Sequence, residues 1–184
     1  MRKVACALVH YPVLDRERKV VTSAITNIDM HDISRSALSF GLSQFYVVHP
    51  VTAQRVLAER VRRHWVEGAG GKRIPDRKPA LEIMQVCESV EQASAAFAPD
   101  TEIWTTSARR IDLRPLPLLD ARKRLQEPGP PVLIVFGTGW GLAPEVHERA
   151  AHHLEPIPSP RPDGYNHLSV RAAAAILFDR LLGA

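Results

Sequence analysis

The 184-residue chain contains 45% hydrophobic and 24% charged residues and has a formal net charge of +4. These values are typical of one folded domain and argue against a disordered chain. Its longest apolar runs, residues 132–136 and 172–178, are too short to span a bilayer. The first apolar run, residues 4–11, lacks the small-residue cleavage site of a secretory signal, so we expect a cytoplasmic protein.

Strand-like and helix-like segments alternate along the whole chain. The first half is predicted to form a strand at residues 4–11, an extended run ending at Ile25, a helix at 29–40, a strand at 45–49 and a helix at 52–65. The second half is predicted to form strands at residues 83–87, 102–106, 132–136 and 153–157, and helices at 91–97, 119–126, from Pro144 and at 168–182. This alternation predicts one α/β domain over residues 1–184, with a mostly parallel sheet flanked by helices.

Basic residues are concentrated in two stretches of the chain. Residues 67–79 are rich in glycine and cations, and they are predicted to form a long exposed loop. Clustered cations can recruit a polyanion such as RNA, although the same residues would also suit a solvated surface. The candidate RNA-binding residues are Lys72, Arg73, Arg77 and Lys78 in the first stretch, and Arg109 and Arg110 in the second.

The cysteines and histidines do not form a recognisable metal-binding pattern. Cys6 and Cys87 lie in separate strand-like runs, and we expect both to be buried free thiols. His147, His152 and His153 are close in sequence, but no carboxylate or cysteine completes a ligand set. We therefore expect surface histidines and no metal site.

A glycine-rich loop follows the most apolar strand of the chain. Gly137, Gly139 and Gly141 alternate with Thr138 and Trp140, directly after residues 132–136. Glycines at a strand end allow backbone amides to approach a ligand closely. A phosphate-binding P-loop is excluded because no Gly-Lys-Ser/Thr follows, and the spacing fits a dinucleotide fingerprint poorly. A nucleotide-like cofactor and a purely structural tight turn both remain open.

The C-terminal segment adds a second loop with an unusual composition. Pro156 and Pro158 flank Ile157, and Asn166 and Ser169 precede four consecutive alanines at residues 172–175. An ordinary packing helix with capping residues explains the alanines, Asn166 and Ser169. It does not explain the proline-bounded loop that comes before them.

Three motifs in this order resemble the SPOUT superfamily of methyltransferases. They are residues 26–35, residues 136–142 and residues 166–174, and the likeness covers essentially the whole chain. The sequence is most similar to a bacterial family of RNA methyltransferases, some of which are fused to tRNA guanine methyltransferases, and it shares features with SpoU-type enzymes. The resemblance implies a trefoil knot, a homodimer and S-adenosylmethionine as cofactor, although knots are rare among folds.

The resemblance also implies which residues bind the cofactor and act in catalysis. Thr105, Thr106 and Ser107 correspond to a strand-end loop that lines the ribose or the methionine, and Trp140 either covers the cofactor or packs internally. The implied cofactor-binding residues are Thr105, Thr106, Ser107, Gly137, Thr138, Gly139, Trp140, Gly141, Ile157, Leu168, Ser169 and Ala172. The implied catalytic residues are Arg35, Asn27, Asn166 and Ser169, with Arg35 orienting the acceptor or binding phosphate.

Residues near Arg35 depart from the SpoU-type pattern, which has small residues there. Asp29, His31 and Asp32 occupy these positions; His31 and Asp32 could act as acid–base groups, but capping of the helix is favoured for Asp32. Whether the acceptor is a ribose hydroxyl or a base nitrogen therefore stays open. The expected activity is metal-independent methylation of tRNA or rRNA. The alternatives are a non-catalytic dimer that binds S-adenosylmethionine or RNA, and an enzyme that methylates a small molecule or a protein.

Overall fold

A computed structural model describes residues 1–183 of the chain. Six strands form one sheet in which every neighbouring pair is parallel: β1 (Val4–Val9), β4 (Gln44–Val48), β5 (Met84–Cys87), β6 (Glu102–Thr105), β7 (Val132–Gly137) and β8 (His152–His153). Their order across the sheet is β5-β4-β1-β7-β6-β8. The predicted α/β fold with a mostly parallel sheet is confirmed.

Helices connect the strands and cover both faces of the sheet. They are α1 (Asn27–Ser39), α2 (Thr52–Val66), α3 (Ala69–Arg73), α4 (Lys78–Glu82), α5 (Val90–Phe97), α6 (Leu118–Gln126), α7 (Pro144–Glu148) and α8 (Val170–Leu182). Helix α8 packs against α1, α6 and β7, so the C-terminal segment closes one face of the core. Among residues 1–183, no helix is both long enough and apolar enough to cross a membrane.

The central strands are apolar along their entire length because both of their sides are covered. All six residues of β1 are buried, and so are residues 132–136 of β7. Parallel sheets with helices on both faces require such continuous apolar runs. Cys6 and Cys87 are buried free thiols, as predicted, and burial raises the pKa of Cys87 to about 12.

A short antiparallel hairpin interrupts the connection between β1 and α1. Its strands are β2 (Val13–Leu14) and β3 (Val20–Val21), so the extended run predicted to reach Ile25 is much shorter than expected. We call residues 13–21 the basic hairpin. It docks on the glycine loop, where the amide of Trp140 donates to the Leu14 carbonyl and the amide of Leu14 donates to the Gly141 carbonyl, both at 2.9 Å.

Residues 67–79 are mostly exposed, as predicted, but the prediction that they form a long loop is wrong. The segment contains α3, a 3-10 turn at Pro75–Arg77 and the start of α4. Gly70 and Gly71 are buried, and a Cβ on Gly71 would lie 2.2 Å from the Trp65 carbonyl oxygen. These glycines therefore serve close packing against α2 rather than chain flexibility.

The last strand is also shorter than the predicted residues 153–157. β8 ends at His153, after which Leu154 makes one isolated bridge to Leu116. Pro156 and Pro158 follow, and proline has no amide hydrogen with which to continue a ladder. The chain therefore leaves the sheet edge beside the candidate site.

Candidate functional site

The carboxyl ends of β6, β7 and β8 meet at one edge of the parallel sheet. The glycine loop follows β7, residues 106–117 follow β6, and the proline-bounded loop follows β8. In open α/β sheets, ligands bind outside the carboxyl ends of the strands. This edge is therefore the expected location of a ligand site.

A cavity of about 970 Å³ opens between the loops that follow β6 and β8. Its wall combines the polar side chains of Ser107 and Asn166 with apolar atoms of Leu118, Leu154 and Ile157. The side-chain amide of Asn166 donates to the Ile157 carbonyl at 2.7 Å and so holds both sides of the C-terminal loop together. The volume and the mixed lining suit a small organic ligand. We call this site the large cavity.

The glycine loop lies outside the lining of the large cavity. Gly139 and Gly141 have φ values of +59° and +105°. A Cβ on Gly137 would lie 2.6 Å from the Leu142 amide nitrogen, and one on Gly139 would lie 2.9 Å from the Leu14 carbonyl oxygen. The tight turn and its contact with the basic hairpin therefore account for Gly137 and Gly139 without any ligand.

A second cavity, of about 460 Å³, lies between the glycine loop, the basic hairpin and the loop after β6. Trp140 and Gly141 line it together with Arg18, Arg109 and Arg110. Ser107, Arg109 and Arg110 also line the large cavity, so the two sites are neighbours. We call the second site the hairpin pocket.

Two histidines hold the hydroxyl group of Thr105 at the end of β6. Thr105 is buried, and its Oγ1 lies 2.8 Å from His153 Nδ1 and 2.9 Å from His147 Nδ1. Burial, and to a smaller extent the neighbouring His153, lowers the pKa of His147 to about 4. Burial, and then His152, lowers the pKa of His153. The prediction of surface histidines is wrong for His147, which is only 7% exposed because it packs against this network.

The other two strand-end threonines bind the backbone of neighbouring strands. The hydroxyl of Thr106 donates to the Val135 carbonyl at 3.0 Å, and the hydroxyl of Thr138 donates to the Val9 carbonyl at 3.1 Å. Both hydroxyl groups therefore help to hold the strand ends together. Ser107, which lines both cavities, is the residue of this predicted set that faces an open site.

The predicted catalytic arginine lies in a separate groove between α1 and α8. Arg35 lines it with Ser169, Ala172, Asp32 and Arg171. Asp32 does not cap α1, because the N-cap is Thr26. The carboxylate of Asp32 instead lies near two arginines, with Oδ2 at 3.5 Å from Arg171 Nε and Oδ1 at 3.9 Å from Arg35 Nη1. That correction follows from the helix start, which is two residues earlier than the predicted residue 29.

The remaining predicted residues lie apart from both cavities. Asn27 is exposed at the first position of α1, and Leu168 is exposed before α8. Ser169 is the N-cap of α8 and accepts a hydrogen bond from the Ala172 amide, as its sequence position indicated. The structure thus brings Ser107, Ile157 and Asn166 together, and it places Arg35, Ser169 and Ala172 in a different group.

The predicted RNA-binding residues differ in their contacts within the protein and in their distance from the candidate site. Lys78 pairs with Glu82 at 3.7 Å, and the guanidinium of Arg77 lies 4.7 Å above the Trp65 ring. The guanidinium of Arg109 lies 4.9 Å above the Trp140 ring, at the rim of the hairpin pocket. Arg109 and Arg110 are therefore the members of the set that adjoin the candidate site.

Sequence reasoning missed a polar cluster at the ends of β1 and β4. His10 Nδ1 lies 2.9 Å from Ser23 Oγ, and His49 Nε2 lies 3.0 Å from the Ser23 carbonyl oxygen. Burial, and then His49, lowers the pKa of His10 to about 4, while Asp29 acts in the opposite direction. Within residues 1–183, His10 Nε2 is buried without a hydrogen-bond partner. A histidine directly after each of two apolar strands was the available sequence clue.

Comparisons with known proteins identify relatives over nearly the full chain. Residues 3–183 match the model of a family described as SAM-dependent RNA methyltransferase. A tRNA (guanine-N(1)-)-methyltransferase from Oleidesulfovibrio alaskensis is 44% identical over 99% of this chain, but the chain spans only 42% of that relative. An uncharacterized protein from Aquifex aeolicus is 32% identical over 97% of this chain and 87% of its own length.

Solved structures of methyltransferases share the fold. A probable methyltransferase from Bordetella pertussis superposes with a TM-score of 0.65 at 18% identity and covers 98% of this chain and 94% of its own. An AdoMet-bound rRNA methyltransferase from Sinorhizobium meliloti superposes with a TM-score of 0.58 at 16% identity, covering 97% of this chain and 55% of its own. At these identities the likeness concerns the fold.

Proposed function

This chain belongs to the family of SAM-dependent RNA methyltransferases, and we propose that it transfers a methyl group from S-adenosylmethionine to tRNA. The choice of tRNA over rRNA is supported by the relative from Oleidesulfovibrio alaskensis, whose name specifies tRNA. The chain spans about two fifths of the length of the first curated relatives that it matches. The proposal therefore concerns the region that these proteins share.

The observation that carries the proposal is the large cavity at the ends of β6 and β8. It collects Ser107, Ile157 and Asn166, three residues that the family resemblance assigns to the site. An adenosine requires apolar surface for its base and a few directed polar groups, and the lining of this cavity offers both. The residues present therefore fit S-adenosylmethionine, which supplies an electrophilic methyl group when it is bound.

The protein's own residues act by positioning. Methyl transfer requires the acceptor atom to approach in line, so orientation and exclusion of water supply most of the rate enhancement. Asn166 holds the Ile157 carbonyl in place, which fixes one wall of the cavity. Arg35 is 58% exposed and can bind a phosphate group through two parallel hydrogen bonds, which would orient the nucleotide.

A homodimer would join the two groups of residues that the structure separates. Arg35 lies in the groove between α1 and α8, whereas Asn166 lines the large cavity. Helix α1 also exposes Ile28 and Leu38, which are 53% and 38% exposed. We propose that Arg35 of one protomer orients the nucleotide at the large cavity of its partner. We also propose that the chain forms the trefoil knot of the superfamily and works in the cytoplasm, where tRNA is available.

Two measurements test the assignment of the site. Calorimetric titration with S-adenosylmethionine should give one site per chain, and Asn166→Ala should weaken binding about tenfold because a partly buried hydrogen bond of the cavity wall is lost. Arg35→Ala should bind the cofactor normally but transfer methyl groups to tRNA at least about tenfold more slowly, since it loses a charged contact to the substrate. Arg60→Ala, which removes an exposed arginine of α2, should change neither quantity. Normal transfer by Arg35→Ala would remove that residue from the mechanism.

A further inference from the structure

The turn of the basic hairpin contains an arginine in a conformation that arginine does not favour. The Asp15 carboxylate accepts hydrogen bonds from the amides of Glu17 and Lys19, at 2.8 Å and 2.9 Å. The Asp15 amide donates to the Lys19 carbonyl, and the Arg18 amide donates to the Asp15 carbonyl. These four bonds close the turn and leave Arg18 with a φ of +66°. Among residues 1–183, Arg18 is the one non-glycine residue with a positive φ.

The turn itself does not explain why this position is an arginine. Hairpins of this type usually have glycine or asparagine at the left-handed position. Every residue except glycine places a Cβ close to the backbone there, and asparagine offsets the cost with local hydrogen bonds from its short side chain. Such outliers persist where the surrounding structure holds them in place, and they cluster at functional sites. The side chain of Arg18 is therefore expected to have a role beyond the turn.

Arg18 lines the hairpin pocket opposite the loop that follows β6. Arg109 and Arg110 line the same pocket, and the only carboxylates in its lining are Asp112 and Glu148. Within residues 1–183, none of the three arginines forms an ion pair shorter than 4.0 Å. Three guanidinium groups that no carboxylate of residues 1–183 pairs with, around one pocket, are suited to an anion.

An aromatic surface lies in the same pocket. Trp140 is 44% exposed although the Arg109 guanidinium lies 4.9 Å above its ring, so part of the indole is open to a ligand. Its backbone is fixed to the basic hairpin by the hydrogen bond from its amide to the Leu14 carbonyl. Trp140 and Arg18 are therefore presented by one connected unit. Tryptophan and arginine are residues on which unstacked RNA bases are held.

We propose that the hairpin pocket binds one nucleotide of the RNA, with its base stacked on Trp140 and its phosphates contacted by Arg18, Arg109 and Arg110. The inference rests on the proposed function and extends it, because it assigns Trp140 and the basic hairpin to the RNA rather than to the cofactor. The pocket adjoins the large cavity through Ser107. A nucleotide held there lies next to the site that fits S-adenosylmethionine.

The substitution Arg18→Gly separates the role of the side chain from that of the turn. Glycine adopts a φ of +66° without strain, so the melting temperature should stay the same or rise. Binding to a fluorescein-labelled tRNA transcript should weaken about tenfold, and the slope of log K against log salt should become shallower by about 1, as expected when one phosphate contact is lost.

Trp140→Ala provides a complementary readout because it removes stacking without removing charge. It should weaken binding of the same transcript about tenfold and leave the salt slope unchanged. Titration with S-adenosylmethionine should be unchanged in both variants. Arg16→Ala is the matched control, since it removes an exposed cation of the same hairpin that does not line the pocket.

Several outcomes would overturn the proposal. Wild-type affinity and salt slope in Arg18→Gly would show that the arginine does not contact RNA. Loss of S-adenosylmethionine binding in Trp140→Ala would place the pocket in the cofactor site. If the wild-type protein methylates tRNA but Arg18→Gly and Trp140→Ala bind tRNA with the same affinity as Arg16→Ala, only the pocket assignment fails. If the wild-type protein neither binds nor methylates tRNA, the proposed function fails as well.

Discussion

At the scale of single residues, His10 links a buried polar cluster to the pH dependence of stability. The side chain is 1% exposed, and its pKa is lowered to about 4 by burial and by His49. Ser23 bonds to its Nδ1, while Asp29 is the nearby group that favours the charged form. A histidine with a lowered pKa in the folded state takes up protons more readily when the chain unfolds.

The free energy of unfolding should therefore fall as the pH is lowered from about 6.5 to about 4. In that window the unfolded chain binds more protons than the folded one, and a pKa lowered to about 4 corresponds to a loss on the order of 3 kcal/mol at the acid end. His10→Asn should make this dependence shallower because it removes one titrating group, while His147, whose pKa is also lowered to about 4, continues to titrate. Urea unfolding at several pH values measures it, and equal pH dependence in both proteins would contradict the account.

Only a minority of the residues that line the large cavity could be predicted from sequence. Ser107, Ile157 and Asn166 were identified through the resemblance to the family, and Asn166 lies within one of its three motifs. The link between Thr105, His147 and His153 joins residues that are more than 40 positions apart, so no local pattern reveals it. The same is true of Arg18, whose importance depends on a backbone angle and on a distant tryptophan.

At the scale of elements, the glycine loop and the basic hairpin form one unit. The Cβ position of Gly139 lies 2.9 Å from the Leu14 carbonyl oxygen, whereas that of Gly164, with a similar φ of +70°, meets nothing within 4 Å. The two glycines thus share a left-handed backbone but differ in their surroundings. Comparing them separates conformational strain from a steric clash with the hairpin.

Gly139→Ala should destabilise the protein more than Gly164→Ala does. Both substitutions incur a conformational cost of about 1–2 kcal/mol, and Gly139→Ala adds the clash with the hairpin backbone. The difference in the free energy of unfolding, measured in urea, reports that clash. An equal loss of unfolding free energy in the two variants would show that the hairpin moves aside without cost and does not hold the glycine loop in place.

Elements were predictable where burial on both faces enforces an apolar run. β1 and β7 were found close to their true limits for this reason. The segment at residues 67–79 was mistaken for a loop because its glycines resemble loop residues, although Gly70 and Gly71 pack against α2. Composition alone cannot distinguish a flexible glycine from one that permits close packing.

At the scale of the whole molecule, the separation of Arg35 from the large cavity makes an active site shared between protomers testable. Arg35→Ala and Asn166→Ala should each be impaired, since they damage different parts of one composite site. Co-expression of the two chains produces mixed dimers in which one of the two sites is intact. Such mixtures should recover roughly a quarter of wild-type transfer, since about half of randomly paired dimers are mixed. Activity no higher than that of the single variants would contradict a site shared between protomers.

The proposed roles of the large cavity and the hairpin pocket would place a methyl donor and an RNA nucleotide side by side. The parallel sheet places the ends of β6, β7 and β8 at one edge, and their loops supply both sites. The proposed knot would make the C-terminal loop rigid. Transfer of the methyl group would distinguish the proposed enzyme from a passive binder.

The most direct test is to incubate the protein with S-adenosylmethionine labelled in its methyl group and with unmodified tRNA or rRNA transcripts. The account predicts label in tRNA, little in rRNA, and a strong reduction with Arg35→Ala but not with Arg60→Ala. A folded wild-type protein that binds S-adenosylmethionine yet leaves both RNAs unlabelled would contradict the proposed activity and favour a non-catalytic binding dimer.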